Sequence, residues 1–249
     1  MNNFFNLSEK RALVTGATRG LGKAMAEILI EYGAATVITG TSDLVNNVAG
    51  EIGAVAGIKG NFLDRKKLEA VYNEAIEKLN GAPDILINNA AIQRRAACEN
   101  FTDQDWDDVI QVNLSSVFTM CKLAGKNMLE KGYGKIINVA SLISFFGGYN
   151  IPAYAASKGG VAQITKSLSN AWAGRGINVN AIAPGYMATD MNEALISDEV
   201  RNKKILDRIP AGRWGTPDDV KGITVFLASS ASDYINGAVI PVDGGYLGA

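Results

Sequence analysis

Short apolar runs alternate with segments of helical periodicity along the chain. Seven of the runs have the length of buried strands, at positions 11–15, 36–39, 55–59, 84–88, 135–139, 177–183 and 239–242. Between them the periodicity predicts helices at 21–32, 65–79, 103–128 and 153–173. A polar helical segment is predicted at 191–207, and Thr216 followed by Pro217 opens a further helix. This alternation predicts an α/β fold, with a doubly wound parallel sheet and helices on both of its faces.

The organisation of the chain favours a single domain. Its 249 residues contain no linker, internal repeat or low-complexity tract, so we expect one domain over 1–249. A segment at about 186–215, which includes the polar helical stretch, is expected to cap a site. Because sheets of this kind bind ligands beyond the carboxyl ends of their strands, the loops after the apolar runs are the places to look for chemistry.

Composition and charge exclude several classes of function. The net charge is -1 and the pI is about 5.6, without the basic stripe that a nucleic acid or an anionic membrane surface would require. No apolar run approaches the ~18 residues of a membrane span, and the first residues lack the features of a signal peptide. Only Cys98 and Cys121 are present, so no disulfide framework is predicted, and a cytoplasmic location is expected.

The absence of histidine narrows the possible chemistry. It excludes Ser-His-Asp and Cys-His hydrolysis. Two isolated cysteines do not complete a zinc site of the usual His/Cys type, so no metal is expected. Proton transfer must therefore use tyrosine, lysine, a carboxylate or water.

A glycine-rich turn joins the first predicted strand to the first predicted helix. Its sequence, TGATRGLG at 15–22, allows a sharp turn and close approach to a ligand, and the helix start offers free amides to a pyrophosphate. In this position the pattern predicts dinucleotide binding, although its spacing is GxxxGxG and not the common GxGxxG. The cofactor-binding residues predicted here are Gly16, Thr18, Arg19, Gly20, Leu21 and Gly22.

The end of the second strand bears on the choice between NAD and NADP. An NAD enzyme usually places an acid there against the ribose hydroxyls, but this chain has Thr41 and Ser42, with Asp43 only nearby. Arg19 could meet a 2′-phosphate, with Thr41 and Ser42 as hydrogen-bond donors. The sequence therefore favours NADP over NAD and leaves NAD open.

Tyr154 and Lys158 lie four residues apart on a predicted helix, and Ser141 lies thirteen residues before Tyr154. Positions i and i+4 share a helix face, so the phenol and the ammonium project into the same space. A nearby cation lowers the pKa of a phenol from about 10. Such a tyrosine can exchange a proton with an alcohol or a ketone, and the Ser141 hydroxyl could hold the substrate oxygen.

These features, with several further motifs, resemble the classical short-chain dehydrogenase/reductase family over nearly the whole chain. The further motifs are Asn88-Asn89-Ala90-Ala91, Asn113, Ala183-Pro184-Gly185 with Thr189, and Val242-Asp243-Gly244-Gly245. The resemblance implies a seven-stranded Rossmann-type sheet and NAD(P)-dependent hydride transfer that interconverts a secondary alcohol and a ketone. Two departures are Asn61, where the family often has Asp, and Ala91, where it often has Gly.

The resemblance also implies a role for each matching residue. Tyr154 would be the general acid/base, Lys158 would lower its pKa and bind the nicotinamide ribose, and Ser141 would position the substrate oxygen. Asn113 would hold a water that links Lys158 to solvent. The other cofactor contacts would come from Asn61 and Phe62 at the adenine, from Asn89 at the adenosine ribose with Ala90 beside it in sequence, and from Pro184, Gly185, Met187 and Thr189 near the nicotinamide. Thr189 could equally cap the following helix.

The substrate is indicated by two adjacent arginines after the fourth strand, Arg94 and Arg95. Guanidinium groups bind carboxylates bidentately, and Arg208 and Arg213 are weaker candidates. The local sequence resembles the gluconate 5-dehydrogenases and the 2-deoxy-D-gluconate 3-dehydrogenases (2-keto-3-deoxygluconate dehydrogenases), which implies a sugar acid of gluconate or deoxygluconate type.

Two other functions remain open at this point. The first is a 3-oxoacyl-acyl-carrier-protein reductase, because several of the same strings occur there slightly altered. The second is a non-catalytic dinucleotide-sensing protein, since a fold alone does not prove chemistry. The resemblance further implies a homotetramer.

Overall fold

In the part of the chain that the structure describes, seven strands form one parallel sheet in the order β3-β2-β1-β4-β5-β6-β7. The structure, a computed structural model, describes residues 4–249. The strands are β1 (Arg11–Val14), β2 (Ala35–Gly40), β3 (Ala56–Lys59), β4 (Ile85–Asn88), β5 (Gly134–Val139), β6 (Ile177–Pro184) and β7 (Val239–Val242). Because β1 lies between β2 and β4, the winding of the sheet reverses there, and a crevice opens at the carboxyl ends of β1 and β4.

Helices cover both faces of the sheet. They are α1 (Gly20–Glu31), α2 (Val45–Ile52), α3 (Leu68–Lys78), α4 (Asp103–Ile110), α5 (Ser116–Lys131), α6 (Pro152–Trp172), α7 (Glu193–Ile196), α8 (Glu199–Leu206) and α9 (Lys221–Ala228). The predicted single-domain, doubly wound Rossmann-type fold is confirmed. In residues 4–249 no helix combines the length and apolar character that crossing a membrane requires.

Alternate residues of the central strands supply the hydrophobic cores on the two faces of the sheet. Leu13 of β1 and Leu86 of β4 face the core formed with α3, α5 and α6. Val14 and Ile87, the next residue in each strand, face the core formed with α1 and α9. This period of two places apolar side chains on both faces, which explains why the strands are continuous apolar runs in the sequence.

Two helical features differ from the sequence prediction. The helix α2 was not predicted, because Asn46, Asn47 and Gly50 are weak helix formers; its Val45 and Ala49 are nevertheless buried. The long helix predicted at 103–128 is not uniform. Its α-helical parts, α4 and α5, are joined by a π-helical turn at Gln111–Ser115, a feature that often occurs at functional sites.

Candidate active site

The glycine-rich turn forms the floor of a cleft at the carboxyl ends of β1 and β4. Gly16 and Gly20 have φ of +65° and +57°, which favour glycine. A Cβ atom on Gly16 would lie 2.7 Å from the Cα of Ala90, and one on Gly22 would lie 2.3 Å from the Nδ2 of Asn89. The glycines are therefore needed for close packing of the turn against the end of β4.

Asn89 fixes this turn by hydrogen bonds. Its Nδ2 donates to the carbonyl oxygens of Thr15 and Gly16, at 3.1 and 2.7 Å. In return, the Oγ1 of Thr15 accepts from the N–H groups of Asn89 and Ala90, at 3.0 and 3.1 Å. Two adjacent sheet strands thus hold the turn in one conformation, with α1 starting at Gly20 and its free amides available to an anion.

The cleft has a volume of about 700 Å³. Ser42 is the one predicted cofactor residue outside its lining; it is exposed, and its Oγ accepts the N–H of Leu44 at 3.2 Å. Gly40 and Gly60 also line the cleft and were not predicted. The predicted residues that do line it are Gly16, Thr18, Arg19, Gly20, Leu21, Gly22, Thr41, Asn61, Phe62, Asn89, Ala90, Tyr154, Lys158, Pro184, Gly185, Met187 and Thr189.

The charges at the adenosine end of this cleft fit a dinucleotide. The nearest acid to the end of β2, Asp43, forms an ion pair with Lys59 at 2.6 Å. Arg19 reaches across the cleft and pairs with Asp190 at 3.1 Å, and both side chains are largely exposed. A phosphate near Arg19 would therefore meet a solvent-exposed guanidinium with no carboxylate of β2 beside it.

Tyr154 and Lys158 lie on α6 at the inner end of the cleft. The Nζ of Lys158 lies 5.7 Å from the centre of the Tyr154 ring and donates to the carbonyl oxygen of Val139 at 2.6 Å. Lys158 is buried, and the hydroxyls of Ser141 and Tyr154 share a hydrogen bond. Ser141, just beyond β5, is itself held by the N–H of Ile143, which donates to its Oγ at 3.2 Å.

Burial shifts both ionisable groups toward their neutral forms. It raises the pKa of Tyr154, and the hydrogen bond with Ser141 opposes this rise. It lowers the pKa of Lys158 to about 8. The direction for Tyr154 differs from the expectation that its ammonium neighbour makes the phenol acidic. The reason is that loss of hydration outweighs the other influences, while the ammonium is directed at the Val139 carbonyl.

Asn113 occupies the π-helical turn and lies behind the cleft, fully buried. Its Oδ1 accepts the N–H of Ile92 and its Nδ2 donates to the carbonyl of the same residue, both at 2.9 Å. Its Nδ2 also contacts the Oγ of Ser157 at 3.2 Å. Asn113 therefore connects the π-helical turn to Ile92, in the segment after β4 that continues into Gln93 and the two arginines.

A second cavity, of about 400 Å³, adjoins the first. Ser141 and Tyr154 line both cavities, as do Pro184 and Gly185. One wall is aromatic: the rings of Tyr186 and Tyr246 lie 5.2 Å apart, centre to centre. Sequence reasoning missed Tyr186 and Tyr246, along with the cationic residues Arg201 and Lys204 of α8, because no local motif marks them.

The four arginines considered as carboxylate ligands do not all reach this second cavity. Arg95 and Arg208 line it. Arg94 lines the dinucleotide cleft and pairs with Asp105 at 3.2 Å. Arg213 pairs with Asp219 at 2.7 Å and lines neither cavity. Although Arg94 and Arg95 are adjacent in sequence, they are directed to different sites.

Comparison with known proteins agrees with this geometry. A family model described as Enoyl-(Acyl carrier protein) reductase matches residues 16–247. The 2-dehydro-3-deoxy-D-gluconate 5-dehydrogenase of Bacillus subtilis (strain 168) is 47% identical over 249 residues, covering 99% of this chain and 98% of that protein. The 3-oxoacyl-(acyl-carrier-protein) reductase of Vibrio harveyi is 41% identical over 244 residues, covering 96% and 98%.

Among solved structures, the gluconate 5-dehydrogenase of Burkholderia cenocepacia J2315 in complex with NADP and tartrate is similar throughout. Its TM-score is 0.93 and its identity 39%, with 99% of this chain and 98% of that one covered. Full-length likeness of this degree accompanies the glycine-rich turn after β1 and the paired Tyr154 and Lys158 on α6. The chain therefore belongs to the short-chain dehydrogenase/reductase family.

Proposed function

We propose that the protein is an NADP(H)-dependent oxidoreductase that interconverts a secondary alcohol and a ketone on a sugar acid of gluconate or deoxygluconate type. One observation carries this proposal: the dinucleotide cleft and the second cavity meet at Ser141 and Tyr154. A substrate in the second cavity would present its carbinol carbon at the inner end of the cleft. The names of the Bacillus and Burkholderia relatives support the substrate class.

Each catalytic residue has a task in this proposal. When bound, the nicotinamide supplies the hydride acceptor or donor. Tyr154 takes the proton from the substrate hydroxyl in oxidation and returns a proton to the carbonyl oxygen in reduction. Ser141 positions that oxygen by a hydrogen bond, and Lys158, which lines the dinucleotide cleft, would bind the nicotinamide ribose. Because burial raises the pKa of Tyr154, the phenol form that reduction requires predominates at neutral pH.

NADP is the favoured cofactor for reasons of charge. No acid ends β2, and Asp43 is already paired with Lys59. Arg19 has only an exposed ion pair with Asp190 to exchange for a 2′-phosphate, and an exposed pair contributes little stability. The NADP bound by the Burkholderia relative supports this choice.

We also infer a homotetramer in the cytoplasm. Trp106 of α4 and Phe118 of α5 are large apolar side chains with 41% and 40% of their surface exposed, which suits an interface between copies of the chain. Light scattering of the purified protein tests this inference, and a monomer at micromolar concentration would contradict it.

A spectrophotometric screen tests the function. The substrates are D-gluconate, 2-deoxy-D-gluconate and 2-dehydro-3-deoxy-D-gluconate, with acetoacetyl thioester as the rival substrate, each with NAD(H) and with NADP(H). We expect turnover of at least one sugar acid with NADP(H) and a much lower kcat/KM for the thioester. Preference for the thioester would identify an acyl-carrier-protein reductase. Failure of every substrate, with intact dinucleotide binding, would favour a non-catalytic protein.

A further inference from the structure

The second cavity is bordered by four cationic side chains that come from two distant segments. Arg95 follows β4, whereas Arg201 and Lys204 lie on α8 and Arg208 lies just beyond its end. Arg201 and Lys204 are spaced i and i+3, which places them on one face of α8. That face is turned toward the cavity that contains Ser141 and Tyr154. Arg208, in the turn beyond the helix, lines the same cavity.

These four cations differ from their neighbours because no carboxylate neutralises them. Within residues 4–249, none of the four forms an ion pair, and no Asp or Glu lines the cavity. The neighbouring cations are all paired: Arg94 with Asp105 at 3.2 Å, Lys203 with Asp207 at 3.0 Å, and Arg213 with Asp219 at 2.7 Å.

Two of the cations are also held in place by other contacts. The Arg95 Nη1 donates to the carbonyl oxygen of Tyr149 at 3.2 Å. The guanidinium of Arg208 stacks over the Tyr246 ring at 4.4 Å. Arg95 and Arg201 line the same cavity. Partial burial lowers the pKa of Arg95 and repulsion by Arg201 lowers it further, while Tyr186 opposes this change. An anion between the two guanidinium groups would remove that repulsion.

We propose that Arg95 and Arg201 together form the carboxylate site of the enzyme, with Lys204 and Arg208 adding positive charge at its rim. This inference rests on the proposed sugar-acid function and assigns specificity to α8. The carbinol end of the substrate lies at Tyr154, and its carboxylate extends toward α8. Arg94, the other half of the predicted arginine pair, has no part in this site.

The test compares two methionine substitutions on the same helix. Arg201→Met removes a cation at the cavity, and the control, Lys203→Met, removes one that is paired with Asp207 and lines neither cavity. Calorimetric binding of D-gluconate and of tartrate is measured in the presence of NADP(H), together with KM and kcat for the best sugar acid. We expect Arg201→Met to weaken binding and raise KM about 10- to 100-fold, the range for a lost charged hydrogen bond, with kcat nearly unchanged.

Two further observations make the result decisive. Arg201→Lys should recover part of the lost affinity, because it restores the charge without the planar fork, and Lys203→Met should match the wild type. The proposal is overturned if Arg201→Met binds both carboxylates as tightly as the wild type does, or if the wild type binds neither. A wild-type protein that binds gluconate without turning over any sugar acid would instead contradict the proposed function alone.

Discussion

The dinucleotide cleft takes its shape from the backbone, whereas the second cavity takes its character from side chains of distant segments. In the cleft, Gly16 and Gly22 allow contacts that any Cβ would prevent, and buried strands hold them. At the second cavity, Arg95 follows β4, Arg201 lies on α8, which has no buried residue, and Tyr246 follows β7, so the lining comes from widely separated parts of the chain. We infer that substitutions in the dinucleotide cleft destabilise the fold, whereas substitutions at the second cavity change its chemistry with little loss of stability.

Gly22→Ala should give the largest effect on stability, at the cofactor end. The new Cβ would lie 2.3 Å from the Nδ2 of Asn89 and 2.4 Å from the carbonyl oxygen of Gly16, so the turn and β4 must move apart. We expect a loss of about 3 kcal/mol of unfolding free energy, as for overpacked sites, and weaker NADP(H) binding. Urea unfolding and fluorescence titration measure the two.

Gly50→Ala is the matched control, because its Cβ would meet nothing within 4 Å on the exposed side of α2. It should stabilise the protein by about 0.5–1 kcal/mol through helix propensity. If Gly22→Ala behaved like Gly50→Ala, the backbone would not define the cleft as described.

Lys158→Met should raise stability while it abolishes efficient turnover. Burial lowers the pKa of Lys158 from 10.5 to about 8, so below pH 8 the folded protein holds a poorly hydrated ammonium that the unfolded chain hydrates fully. The substitution should therefore add about 2 kcal/mol of unfolding free energy at neutral pH, less than the full shift implies because the Val139 carbonyl loses its donor.

The pH dependence of this gain follows from linkage. Between pH 8 and 10.5 the unfolded chain binds more protons at Lys158 than the folded protein does, so the wild type gains stability as pH rises through this window. The advantage of Lys158→Met should shrink accordingly in urea unfolding without nucleotide. A constant advantage across the window would show that the buried charge is not its cause.

Arg19→Ala should change cofactor choice more than stability. The guanidinium is exposed and its ion pair with Asp190 is solvated, so the fold should lose little. A lost charged hydrogen bond to a 2′-phosphate should reduce the preference for NADP over NAD about tenfold. Ratios of kcat/KM for the two cofactors measure this, and an unchanged ratio would remove Arg19 from the phosphate site.

The smallest stability effect is expected at the substrate end. Arg201→Met should change unfolding free energy by no more than about 0.5 kcal/mol, as for an ordinary surface substitution, because α8 has no buried residue and Arg201 has no ion pair with any of the described residues. Urea unfolding of Arg201→Met and Gly22→Ala under the same conditions compares the two losses of unfolding free energy directly. A loss as large as that of Gly22→Ala would mean that α8 is part of the structural core.

The regions that could be predicted from sequence are those in which local pattern determines structure. The seven strands agree with their apolar runs, most closely in the central strands β1, β4, β5 and β6, where both faces are buried. The glycine-rich turn was recognisable because its conformation requires glycine at fixed positions. The helix α2 was missed because its poor helix formers are compensated by packing on β3, a contact between segments that propensity does not describe.

The substrate end was harder to predict, since its residues converge only after folding. In the sequence, Arg201 and Lys204 resemble the solvent-exposed side chains of a polar helix. Their neighbour Lys203 is such a side chain, since it is exposed and pairs with Asp207. The pair Arg94 and Arg95 suggested a bidentate carboxylate site, but Arg94 forms an ion pair with Asp105 at the start of α4. Likewise, the spacing of Tyr154 and Lys158 predicted that the two side chains are close to each other. It did not predict the burial that raises the pKa of the phenol.

The central claim is that Tyr154 transfers the substrate proton where the two cavities meet. The most direct test is the sugar-acid oxidation rate of the wild type and of Tyr154→Phe between about pH 6 and pH 10, the range in which a phenol begins to ionise. We predict that the wild-type rate rises with pH, because burial raises the pKa of Tyr154 and phenolate forms only toward alkaline pH. Tyr154→Phe should be slower by at least about a hundredfold, with NADP(H) affinity preserved. Wild-type turnover by Tyr154→Phe would contradict the account.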